Sequence, residues 1–367
     1  MKTNSDEMHN QEMLLKKIRQ SSEVFDKLAN SYEVWVPESG WLAGRRNRDK
    51  NDSKRKNLTD WSILSFLLEI DNCHYPMADS YLQYGIDGVI RIAAETLETL
   101  KNNLQSELQD QTQLDIAYLE SLLHVWKRFR QFVADHMVLA LECAKQETSD
   151  TKKKRYEKIA KICQNLTINK PNTFCEALQL FWFTYLFRSP FGAGCIGRLD
   201  QLLYPFYKHD CEMGIWDQQE AEKMLEEMFT RMNEINTGDT LRNLMLSGQD
   251  AKGNDQTNEI TYLILVAYEN TGGSEPHLNV RFHEKTPKKL RDNCINMLSS
   301  GSGQPTIYFD EAVLPAMEKA GICHEDACRY ANDGCTETVI AGKSAIVFWQ
   351  YEICLLYTSP SPRDPKT

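Results

Sequence analysis

The sequence has 367 residues, of which 41% are hydrophobic and 10% aromatic, enough to bury a large core and too apolar for a disordered chain. That length exceeds the roughly 100–200 residues of an ordinary domain, although large α/β barrels use as many in one unit. The formal net charge of −10 argues against a nucleic-acid binder, which would carry a basic face, and otherwise serves solubility.

Met1 to Lys17 contains no apolar stretch of the kind that forms a secretory leader. The 11 cysteines are odd in number and irregularly spaced, and read as reduced thiols of a cytoplasmic protein, most of them small buried hydrophobes. The first third reads as helical with one interruption, the basic and polar stretch Gly44 to Asn57, which is a solvated loop or, alternatively, a phosphate-binding patch. Val89, Ile90, Ile92, Ala93, Ala94, Leu97 and Leu100 recur at helical spacing, which predicts a helix from Gly88 to about Leu104. A longer helix is predicted from about Leu114 through Leu141, and a further one opens at Thr151 to Glu157. Thr173 and Glu176 have capping-box spacing: the hydroxyl can accept from the third backbone N–H while the carboxylate reaches back. The helix they open carries the densest apolar run, Ala177 to Phe187, too short to span a bilayer and therefore a buried helix rather than a membrane segment.

Strands and helices then alternate. Asp217 with Glu220 predicts a second capped helix to about Ile235, and Thr257 to about Tyr268 a third. His277 to His283 sets Leu278, Val280 and Phe282 in alternation with polar neighbours, a strand pattern that places Arg281 and His283 on its polar phase. Thr286 is expected as an N-cap with Pro287 at the first helical position of a helix ending near Gly301. Pro305 to Phe309 reads as a strand, followed by helical Glu311–Lys319 and Asp326–Tyr330. This order favours parallel α/β architecture.

The sharpest local feature is Tyr330-Ala-Asn-Asp-Gly-Cys-Thr-Glu-Thr338. Asn332, Asp333 and Gly334 are turn formers that would end the helix and present Cys335 on a tight loop. In an extended loop the side chains of Cys335 and Glu337 point the same way, which pairs a thiol with a proton acceptor. Taken alone, a cysteine in a turn is more often structural. Cys323, His324, Cys328 and Cys335 offer a competing zinc-module reading, but their spacing matches no usual paired-cysteine pattern.

Five blocks carry a family resemblance: Gly194 to Tyr207, Asn243 to Asp250, Thr257 to Leu263, Gly303 to Asp310, and Ala327 to Glu337 with Gly342-Lys343. In this order they resemble the pyruvate formate-lyase-like glycyl radical family, over roughly Tyr75 to Phe348. The resemblance divides the chain into an N-terminal region, 1–74, and an incomplete family domain, 75–353. It implies an α/β fold, the first half of a ten-stranded barrel made of two five-stranded parallel half-sheets, with a helical N-terminal part and Cys335 on a finger loop inside. It implies no bound cofactor but a glycyl radical, installed on a C-terminal glycine by a radical S-adenosylmethionine activase. That radical would take hydrogen from Cys335, and the thiyl radical would take hydrogen from substrate. The partners implied are the activase, a small-molecule substrate and, for the full-length protein, a second copy in a homodimer; nucleic acid and membrane are not expected.

The Cys-x-Glu arrangement resembles the eliminases and decarboxylases of the family, whereas ketoacid formate-lyases carry two adjacent cysteines where Gly334 and Cys335 stand here. The resemblance thus favours a dehydratase acting on a small hydroxylated metabolite, with an arylacetate-type decarboxylase as the alternative and a formate-lyase disfavoured. Glu337 would take the proton of a substrate hydroxyl, a role helped by a water-poor cavity. Two departures alter the substrate contacts: Phe191 to Ile196 lacks the histidine, and Phe348-Trp349-Gln350 the aspartate, of glycerol- and choline-type members. Phe191 and Trp349 are therefore expected to line a more apolar pocket or else to be plain core. Arg198 and Asp200 are read as substrate contacts or as a buried ion pair that holds structure.

From Cys354 to Asp364 the sequence reads as a translated sequencing adapter, so 354–367 is left out of fold reasoning. No Arg-Val-x-Gly-Tyr glycine loop is found in the chain. The chain is therefore expected to be truncated before the glycyl radical domain, inactive by itself, and poorly soluble through unpaired strand edges.

Overall fold

The computed structural model describes residues 4–45, 76–102, 109–188, 194–234, 242–272, 274–334, 337–340 and 343–344. Among the described residues the N-terminal half has five helices: α1 (Asn4–Ser31), α2 (Pro76–Asn102), α3 (Gln109–Gln146), α4 (Asp150–Ile168) and α5 (Phe174–Arg188). α2 is broken at Gly85, so its continuous part begins close to the predicted Gly88, and α3 extends past both predicted ends. α3 is the hub, packed against α1, α2 and α4. Phe132, fully buried on α3, meets Phe183 and Phe187 of α5 edge-to-face at 5.6 and 4.9 Å. That geometry adds about 0.5–1.5 kcal/mol per pair to the area buried.

The α5 cap forms as the sequence predicts. Glu176 N–H donates to Thr173 Oγ1 (3.2 Å), and the Glu176 carboxylate accepts from Thr173 N–H (3.3 Å). Buried Asp210 adds a third acceptor, for Phe174 N–H at 2.6 Å. Nearly every described side chain of α5 is buried, because it lies between the helical layer and the sheet. Among the described residues no helix is long and apolar enough to cross a membrane. The buried-thiol reading holds for Cys163, Cys175, Cys195, Cys294 and Cys328; burial pushes the Cys163 and Cys294 thiols up to about 12.

The second half alternates: β1 (Gly194–Gly197), α6 (Leu199–Met213), α7 (Gln218–Glu234), β2 (Arg242–Ser247), α8 (Glu259–Thr271), β3 (His277–Phe282), α9 (Lys288–Ser299), β4 (Thr306–Phe309), α10 (Asp310–Lys319), α11 (His324–Ala327), β5 (Ala331–Asp333) and β6 (Glu337–Val339). β1 to β4 form one parallel sheet in chain order, as crossover connections require. The half-sheet of five expected from the resemblance shows four strands among the described residues; β5 and β6 form a separate antiparallel hairpin that packs on β1 and β2. Period-two alternation sorts the strand residues. Ile196, Leu244, Leu246, Leu278, Val280 and Ile307 face the helices, while Cys195, Met245 and Tyr308 join a smaller cluster with Leu314, Met317, Tyr330 and Val339 on the other face.

Two local expectations are corrected. Pro287 is the N-cap of α9, not its first helical residue, because its ψ of 138° is extended and Thr286 Oγ1 instead accepts from His283 N–H (2.7 Å). The helix predicted over Asp326–Tyr330 is the single turn α11, two residues earlier. The cause is Arg281, whose buried Nη1 takes the Cys328 and Tyr330 carbonyls at 3.0 and 3.2 Å and draws the chain out toward β5.

Candidate active site

The last register pair of the hairpin is Asp333 with Glu337, and Gly334 follows Asp333 as a turn residue. Only Gly334 of the three predicted turn formers is in the turn; Asn332 and Asp333 are buried strand residues. Gly334 has φ +48°, and a Cβ placed on it would lie 2.7 Å from Glu337 Oε2. The carboxylate of Glu337 thus folds back over the residue that precedes Cys335. Glycine meets both demands, a left-handed backbone and a close approach.

Arg281 anchors the stem. Its Nε and Nη2 donate to Asp310 Oδ1 and Oδ2, both at 2.8 Å, in a fork with no exposed atom on either partner. Its guanidinium also lies over the Tyr330 ring at 4.0 Å, and the Tyr330 hydroxyl donates to Asp310 at 3.1 Å. This packing requires Gly248, where an added Cβ would sit 2.5 Å from Arg281 Nε. The polar phase predicted for Arg281 and His283 is therefore a buried one: His283 pairs with Asp255 at 2.9 Å.

Arg198 and Asp200 are not a direct ion pair with each other. They grip Ser247 from opposite ends: Arg198 Nη2 donates to its carbonyl (2.6 Å), and Asp200 Oδ2 accepts its N–H (2.8 Å). Asp200 also accepts from Thr261 Oγ1 (2.7 Å) and Gln201 N–H (2.8 Å). Burial pushes the Asp200 carboxyl up, opposed by Arg198 and these donors. Ser247 is held at φ +61°, a strained setting that such grips sustain.

Three amides and a phenol on the face away from the helices complete the arrangement. Asn243 Nδ2 donates to the Gly334 carbonyl at 2.6 Å; Asn279 and Asn332 donate to Asn243 Oδ1 at 3.0 and 3.1 Å. Asn332 also donates to the Tyr308 hydroxyl at 3.2 Å. Burial raises the Tyr308 phenol, and the nearby Glu337 carboxylate adds to the shift. Asn243 and Asn279 went unremarked as single residues in the sequence, although asparagine is depleted in strands and both stand on the polar phase of apolar ones. Among the described residues no three His, Cys, Asp or Glu side chains gather to hold a metal; His324 contacts Glu318 (2.5 Å) and Cys328 (3.6 Å).

The pyruvate formate lyase-like family model matches residues 72–367. The chain belongs to that family, whose members are glycyl radical enzymes activated by an activase. It is 33% identical to trans-4-hydroxy-L-proline dehydratase of Clostridioides difficile, over 58% of this chain and 29% of the relative. It is 30% identical to (2S)-3-sulfopropanediol dehydratase of Klebsiella oxytoca, over 71% of this chain and 33% of that one. The chain thus spans about a third of the length of these curated relatives. The fold is similar to the glycerol-bound form of the B12-independent glycerol dehydratase from Clostridium butyricum, with TM-score 0.74 at 21% identity over 89% of this chain and 50% of that structure.

Within this pyruvate formate lyase-like chain, Cys335, Phe191, Trp349 and most of the basic stretch 44–57 lie outside the described residues. Glu337 is exposed, so the dry cavity expected around it is not formed by the described residues. Arg198 donates to the Ser247 carbonyl, and Asp200 accepts from Ser247 N–H and Thr261 Oγ1.

Proposed function

We propose that the protein is a glycyl radical lyase of the dehydratase type, with Cys335 as the hydrogen-abstracting thiol and Glu337 as its acid–base partner. The observation that carries this reading is the hairpin itself, where the Glu337 carboxylate is folded over Gly334, the residue that precedes Cys335 in the sequence. The glycyl radical of the family would take the Cys335 thiol hydrogen, so that a C–H bond forms on the glycine, the S–H bond breaks and the unpaired electron is left on Sγ. Cys335 Sγ then takes a hydrogen atom from the carbon bearing the substrate hydroxyl, so an S–H bond forms and a C–H bond breaks. The hydroxyl on the resulting carbon radical is far more acidic, and Glu337 takes its proton while the neighbouring group leaves with its bonding pair. That proton passes to the leaving group as water departs, and the hydrogen atom returns from Sγ to carbon.

The substrate class, a small hydroxylated metabolite, is supported by the hydroxyproline and sulfopropanediol dehydratases among the relatives. The partner is a radical S-adenosylmethionine activase, and the setting is the cytoplasm. The test is anaerobic activation of the complete enzyme. A glycyl radical signal by electron paramagnetic resonance is expected, and Cys335→Ser should keep that signal while losing all turnover. Persistent turnover in Cys335→Ser would overturn the assignment.

A further inference from the structure

We propose that Asn243 is a positioning residue for the Cys335 loop, its amide oriented by Asn279 and Asn332 so that Nδ2 donates to the Gly334 carbonyl. The inference rests on the reading of Cys335 as the reactive thiol.

An amide side chain is ambiguous until its neighbours fix it. Here two donors converge on Asn243 Oδ1, Asn279 Nδ2 at 3.0 Å and Asn332 Nδ2 at 3.1 Å. A flip would set N–H against N–H twice and oxygen against the Gly334 oxygen. The orientation is therefore unique, and Nδ2 must point at Gly334, 2.6 Å away and one bond from the Cys335 nitrogen. Asn279 is itself tied back to the His277 carbonyl at 3.1 Å, and Asn332 to the Tyr308 hydroxyl at 3.2 Å, so the clamp spans β2, β3, β4 and β5.

The network is a poor device for stability. Asn279 Oδ1 and Asn332 Oδ1 are buried and have no hydrogen-bond partner among the described residues, a penalty that apolar side chains in these places would avoid. What three buried amides provide and apolar residues would not is a donor of fixed direction at the carbonyl preceding Cys335. With Glu337 folded over Gly334, the peptide that carries the thiol is held by a side-chain donor at its oxygen and crowded at Cα by a carboxylate. A rigid element that aims a reactive group is what catalysis by close approach requires.

The test uses the complete enzyme without activation, so that it reads loop position and not radical chemistry. Asn243→Asp keeps the acceptor that Asn279 and Asn332 need but turns an oxygen on the Gly334 carbonyl. Alkylation of Cys335 by iodoacetamide, followed by mass spectrometry, should speed up by about tenfold. Buried Cys175 in the same sample should stay unmodified, which reports that the fold is intact. Asn332→Ala removes one of the two clamping donors and should give a smaller increase, of about threefold. A Cys335 rate within twofold of wild type in Asn243→Asp, or a rise matched by Cys175 in both variants, overturns the proposal. Loss of the Cys335→Ser phenotype would sink the catalytic reading while leaving these rates as they are.

Discussion

Arg281→Met is expected to release the stem of the hairpin, and its size follows from the contacts. Both partners of the Arg281–Asp310 fork are fully buried, and breaking such a pair from one side typically costs about 3–5 kcal/mol because a lone charge stays behind. Here the stranded Asp310 keeps two donors, the Tyr330 hydroxyl at 3.1 Å and Gln249 N–H at 3.0 Å, which places the loss near the lower end, at about 3 kcal/mol. The Cys328 and Tyr330 carbonyls lose their shared donor at the same time, so the damage concentrates where the chain enters β5. Amide hydrogen exchange followed by mass spectrometry reads this local opening directly. A peptide over residues 327–333 should exchange about a hundredfold faster, while one over α8 should not change. Adding Asp310→Asn removes the stranded charge but keeps an acceptor, and should recover about tenfold of the loss. Exchange within threefold of wild type in Arg281→Met, or no recovery in the double variant, would refute the argument.

Two further outcomes are open to measurement. His136 lies between the Phe132 and Phe183 rings, and burial lowers its imidazole from 6.5 to about 4. Its folded-state value is depressed, so on acidification the unfolded chain takes the proton first; stability is intact above about pH 6.5 and falls as pH drops toward about 4. Between pH 7 and 5 the loss should be about 2 kcal/mol, visible as a lower urea midpoint that His136→Gln lacks; parallel midpoints in the two proteins would count against it. Gly334→Ala forces a side chain into φ +48° and onto the Glu337 carboxylate, at a cost of about 1–2 kcal/mol to the loop. The activated variant should show an undiminished glycyl radical signal with turnover down about a hundredfold, and unchanged turnover would show that the close approach is incidental.

What the sequence makes legible here is mostly local. The boxes at Thr173/Glu176 and Asp217/Glu220 close within four residues and form as read, the second with bonds of 2.8 and 3.0 Å. β3 announces itself by alternation. What stays hidden is the pairing of distant residues. Arg281 and Asp310 are 29 apart in sequence and Asn243 and Gly334 are 91 apart, and no local rule links them. Local rules even mislead where a distant group intervenes. Asn332 and Asp333 carry turn chemistry, yet they are strand residues because β6 pairs with them and Asn243 occupies the Asn332 amide. Arg198 and Asp200 look like a pair, and instead divide the carbonyl and N–H of one residue, Ser247, between them.

These placements bear on how substrate choice is encoded. Several residues of the resemblance blocks bind backbone: Arg198 and Asp200 at Ser247, Asn243 at the Gly334 carbonyl, and Gln304 at the N–H of Leu278, 2.6 Å away. Each holds a turn or a strand end, and one of them holds the loop of Cys335. Under the proposed function such contacts would fix where the hydrogen is taken but say little about from which molecule. That division suits a family whose relatives of this chain are named for hydroxyproline, sulfopropanediol and isethionate. Under the proposed function selectivity would belong to other side chains, and Phe191 and Trp349, which the resemblance makes candidates for a more apolar pocket, are where exchange should change the substrate and leave the hairpin as it is.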